Sequence, residues 1–115
     1  MKPEIKKIWV EALRSGKYKQ GQKYLCRTIN GEDRFCCLGV LAHECVDGYW
    51  SKKWGPEEMV VWNLVSNDSK CSVDLSEELL IKLGISAFEQ DKLVNLNDNL
   101  GKDFNQIADW IEENL

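Results

Sequence analysis

One stretch constrains the fold more than any other: FCCLGVLA, residues 35 to 42, eight residues without a charge or a strong hydrogen-bonding side chain. It runs on through His43 and Glu44 to Cys45. It is too long and too apolar for a simple edge strand. We read a buried helix from about Cys36 to Cys45 around which the rest of the chain must close. Gly39 weakens that helix by about 1 kcal/mol against alanine. In exchange it permits close packing.

The flanking segments supply the partners. Ile5, Ile8, Trp9, Ala12 and Leu13 follow the i, i+3, i+4, i+7, i+8 spacing of an amphipathic helix, with Pro3 in its first turn and Gly16 at its stop. KYLCRTINGEDRFCC reads as a β-hairpin. Tyr24 to Ile29 is rich in strand formers, Asn30-Gly31 is a two-residue turn signal, and the return strand spans about Asp33 to Cys36. Residues 47–56, DGYWSKKWGP, read as an aromatic loop. EEMVVWNLV fits a short helix or a strand, and SNDSKCS a polar connector. Ser76, between Leu75 and Leu80, marks an N-cap with a hydrophobic staple, and Gly84 ends that helix. Ser86-Ala87-Phe88-Glu89 is a capping-box pattern that opens another helix through Leu93, Val94 and Leu96. LNDNLG then breaks it, with Asp98 or Asn99 expected to cap backbone amides. Phe104, Ile107, Ala108 and Ile111 form a last stripe, with Trp110 beside it. The expectation is an α+β fold: one compact domain over 1–115, mainly helical, with four to five helices and a small antiparallel β-hairpin or sheet.

Charge narrows the function classes. The net charge is −4 and the pI about 5.0. Residues 1–27 hold eight basic and two acidic residues, whereas 57–115 hold four and thirteen. Such a basic end could touch phosphate, but the plainer reading sets the two ends against each other or water. The acidic pI argues against general nucleic-acid binding. No apolar run approaches the ~20 residues of a membrane span, and the charged N-terminus lacks a secretory pattern. A cytoplasmic location and five reduced cysteines are expected, an odd number that admits no complete disulfide framework.

Four kinds of chemistry are open to these residues. Cys36 or Cys37, where strand meets helix, could be a nucleophile, because a helix N-terminus favours thiolate. His43 lies two turns on, about 10.5 Å along the axis, beyond direct reach of Cys36. Asp98 or Asn97 could join only through the fold. For zinc, Cys26, Cys36, His43 and Cys45 make a conceivable but unpatterned set, and no metal or cofactor is expected. Neither glycine-rich phosphate motif is present, and the oxygen side chains around Gly101 do not match a calcium loop. Trp9, Trp62 and Trp110 fall on core stripes. Tyr49, Trp50 and Trp54, beside Lys52 and Lys53, could anchor a partner or fold down on the core.

The strings WVEALRSGKYKQ, FCCLGVL and LNDNLGKDFNQIADWIE together resemble a group of small, uncharacterised proteins of bacteriophages and bacteria, over most of the chain except 47–75. The resemblance implies a phage-type origin and a role in host cytoplasm, and it brings no catalytic residues with it. The reading that follows is a non-enzymatic binding module acting on a host protein or small ligand, through Tyr49, Trp50, Lys52, Lys53 and Trp54. The alternatives are a cysteine-dependent hydrolase or transferase using Cys36 or Cys37 with His43 and Asp98, and a structural or self-associating phage protein.

Overall fold

The structure is a computed structural model and describes residues 1–55, 58–67 and 69–115. The turn expected at Pro56, and positions 57 and 68 in the neighbouring stretches, lie outside the described residues. The described chain runs α1 (Pro3–Arg14), β1 (Lys19–Gln20), β2 (Cys26–Ile29), β3 (Glu32–Phe35), α2 (Cys37–Cys45), β4 (Tyr49–Trp54), β5 (Met59–Ser66), β6 (Ser69–Cys71), α3 (Glu77–Leu83), α4 (Ala87–Val94) and α5 (Phe104–Asn114). A π-helical turn, Asn95–Asn99, extends α4.

The α+β class is as the sequence implies. The sheet is larger than a hairpin. Its order is β1-β3-β2-β5-β4, and β6 lies beside β2 against the same strand, β5. β1 and β3 are parallel and every other pair is antiparallel. The β2–β3 hairpin turns on Asn30 and Gly31, both at positive φ (50° and 78°), as that dipeptide demands.

Two expectations are corrected here. Residues 49–54 are a strand and not a loop, because Trp50 and Tyr49 register opposite Leu64 and Val65 of β5. SNDSKCS is not merely a connector: Ser69–Cys71 returns along β5 as β6. In both places polar residues disguise a strand whose partner is supplied by β5. EEMVVWNLV resolves to strand over its described part.

The helices pack over one face of the sheet. α2 packs on α1 and α4, and its fully buried Leu38, Val40 and Leu41 share one apolar cluster with Trp9 and Leu13 of α1, Leu93 of α4 and Ile107 and Ile111 of α5. Burying a leucine of this kind stabilises by about 2 kcal/mol. Gly39 is obligatory: a Cβ there would run into the backbone carbonyl of Leu25. Trp9 is buried and donates its indole N–H to the Cys37 carbonyl at 2.9 Å. The caps expected for α3 and α4 form. Ser86 and Glu89 form the reciprocal box, and Gly84 closes α3 at φ 77°.

Candidate functional site

Two groups of residues carry the chemistry foreseen in the sequence, and the fold treats them differently. The first surrounds the start of α2. Cys36 is its N-cap and Cys37 its first residue, at the strand-to-helix junction anticipated for a nucleophile. Both are buried. Burial pushes the Cys36 thiol up to about 12, against the lowering effect of the Gly39 and Leu38 amides. Cys37 is also raised, first by burial and then by its neighbour Cys36 and by Asp98. Desolvation of a thiolate therefore outweighs the helix terminus. Cys26 is likewise raised by burial to about 12.

Asn97 and Asp98 do come to this junction. Asn97, one of the few buried polar residues, holds the π-helical turn against α2 and the β1 segment. Its Oδ1 accepts the Cys37 amide (3.2 Å) and the Gln20 side-chain amide (2.9 Å). Its Nδ2 donates to the Gly21 carbonyl (2.9 Å) and to Asp98 Oδ1 (2.8 Å). Asp98 Oδ1 also accepts the Lys23 amide at 3.1 Å. The expected helix-capping role of Asp98 or Asn99 is thus corrected. Asp98 serves a distant backbone amide, Asn99 donates to the Asn95 side chain, and Asp103 caps α5. This network satisfies buried polar groups and ties three segments together.

His43 is elsewhere. Its Nδ1 accepts the Trp50 indole N–H at 3.0 Å, and its ring sits among Tyr18, Phe35 and Trp50. The structure does not join it to the cysteines. Among the described residues, no group of three or more histidine, cysteine or acidic side chains is placed to hold a metal ion. Among the described residues, no helix is long and apolar enough to cross a membrane.

The second group is on β4, an edge strand. Alternation divides it between the two faces. Trp50 turns toward the helices, half-buried, edge-on to Phe35 at 6.0 Å between centroids. Lys52 shares that side but is exposed, opposite Trp62. The register skips Lys53, whose ammonium donates to the Ser72 hydroxyl at 2.8 Å. Tyr49 and Trp54 are exposed, 63% and 43%. They pair with Val65 and Val61, which are buried yet lie outside the cluster shared by the helices. They therefore belong to the outer face. Trp54 meets Tyr24 edge-to-face, with centroids 6.3 Å apart. Of the five binding residues expected, the fold keeps Tyr49, Lys53 and Trp54 on or beside one surface and takes Trp50 inward. It adds Tyr24 and, through the register, Arg27. The signal for Arg27 was present in its alternation with Cys26 in β2, one residue facing the core and the next facing out.

No curated protein and no solved structure matches the chain. A family model described as a domain of unknown function, DUF8296, matches residues 1–60. The matched stretch spans α1 through β4 and holds both the cysteine pair and the β4 aromatics; Asn97 falls beyond it. The chain belongs to this family of domains of unknown function, DUF8296.

Proposed function

We propose that this chain is a non-enzymatic binding protein of phage type that engages a host protein through the outer face of its sheet. Tyr49, Lys53 and Trp54 form the part of that surface foreseen in the sequence. The observation that carries the reading is the asymmetry of β4 and β5. The helices cover one face, while Tyr49 and Trp54 lie exposed on the other with buried valines between the strands. Exposed tyrosine and tryptophan near an arginine is the composition of interface anchors. The burial of the Cys36 and Cys37 thiols, which raises both, supports the non-enzymatic side of the reading, since it disfavours the nucleophilic thiolate.

The test is site-specific photo-crosslinking in bacterial cells. A benzoylphenylalanine replacing Tyr49 is expected to give an adduct of one defined mass. The same group replacing Ile81, exposed on α3, should give none. Equal adducts at both positions, or none at either, would sink the reading.

A further inference from the structure

The sheet register sets five residues in one row across the outer face. Lys19 is opposite Arg34, Arg34 opposite Arg27, Arg27 opposite Val61, and Val61 opposite Trp54. Four strand spacings make this row about 19 Å long. Its charges are not balanced evenly. Glu32 takes both Lys19 and Arg34 as ion-pair partners. Arg27 has no ion pair among the described residues, and its Nε is a buried side-chain polar atom with no hydrogen-bond partner. It sits directly across from another arginine, a placement that destabilises a sheet. A half-buried cation without a partner is costly unless something else requires it.

On that basis we propose that the outer face recognises an acidic polypeptide segment, seating a carboxylate on Arg27 and an apolar side chain against Trp54 and Tyr24. The proposal rests on the binding reading above and names its partner class. A guanidinium presents a planar fork that fits a carboxylate. Trp54, one strand beyond Val61 in the same row and edge-to-face with Tyr24, supplies an apolar seat. Lys53, and Lys70 opposite Val65, add positive charge around the patch. A nucleic-acid strand fits less well. It requires a run of free cations along its phosphates, whereas two of the three in this row are already engaged by Glu32, which stands among them as an anion.

Fluorescence anisotropy tests this on the full chain. The probe is a short labelled peptide of glutamates interspersed with phenylalanines; the counter-probes are its glutamine counterpart and an oligothymidylate. The glutamate peptide is expected to bind at least about ten-fold more tightly than either counter-probe, and to weaken with salt. Arg27→Gln should cost about ten-fold, and Arg27→Lys should recover only part, because the fork is lost. Trp54→Ala should weaken binding independently. Arg27→Gln should melt at or above the parent temperature, since it removes a like-charge pair. Tighter binding of oligothymidylate, no binding of the acidic peptide, indifference to Arg27→Gln, or a clear fall in its melting temperature would each overturn the proposal. Concentration-dependent self-association through this face without any probe would overturn it too, in favour of a second copy. If the Tyr49 crosslink forms while the acidic peptide does not bind, the binding reading stands and the acidic partner falls.

Discussion

Asn97 joins three partners distant in sequence, Gln20, Gly21 and Cys37. Replacing it with alanine would leave the Cys37 amide and the Gly21 carbonyl without their partner in a buried setting. The expected cost is about 3 kcal/mol, read from the shift in denaturant midpoint; a loss below about 1 kcal/mol would mean that water replaces the side chain. The cysteines beside it make a different prediction. In the folded protein at pH 8, alkylation followed by peptide mapping should label Cys45 first. Its thiol is also raised, by burial and by Glu44, but it is only half-buried, whereas Cys26, Cys36, Cys37 and Cys71 are enclosed. Rapid, selective labelling of Cys36 or Cys37 would reopen thiol chemistry. Neither the depth of these thiols nor the role of Asn97 was legible in the sequence. A cysteine at a helix start and an asparagine in a polar connector look the same whether buried or exposed. The distinction comes from the packing of residues roughly sixty positions apart.

At the scale of elements, the sequence was most informative where the rules are local. The α1 helix, the Asn30-Gly31 hairpin, the Ser86 capping box and the Gly84 stop all stand as the side chains dictate, although on α1 Ile8 is exposed and Val10 is buried instead. The failures came where a strand is defined by its partner. YWSKKW and SKC have little strand character alone, and β5 gives them a ladder to join. LNDN looks like a helix breaker, yet the backbone continues as a π-helical turn, a form associated with specialised sites. Here it delivers Asn97 inward. Gly39 was legible as a place of close approach, and the element it limits is α2. Gly39→Ala improves helix propensity but drives a methyl group into the Leu25 carbonyl. The clash should dominate, lowering stability by about 3 kcal/mol. A stabilised variant would show that α2 and the start of β2 can move apart without loss.

At the scale of the molecule, the uneven charge distribution resolves into contacts between the ends of the chain. Arg14 of α1 meets Asp109 at 2.6 Å and Glu112 at 3.5 Å on α5, and Lys6 donates to the Glu112 carbonyl. Such exposed pairs contribute little, because solvent and salt screen them. The apolar seam beneath them is stronger, and it unites α1 with α5 and α2 with α4. The region matched by the family, residues 1–60, therefore lacks β6, nearly all of β5 and every helix after α2. A fragment of those residues should show no cooperative thermal transition by circular dichroism. A sharp transition would mark it as a folding unit of its own.

The lock made by Asn97 also bears on how the protein is born. Its partners Gln20, Gly21 and Cys37 leave the ribosome long before it does, as do the apolar faces that α4 and α5 will cover. The nascent chain must carry FCCLGVLA without the cover of α4 and α5 until most of its length has been made. That interval is when a chaperone has most to bind and when aggregation competes most strongly with folding.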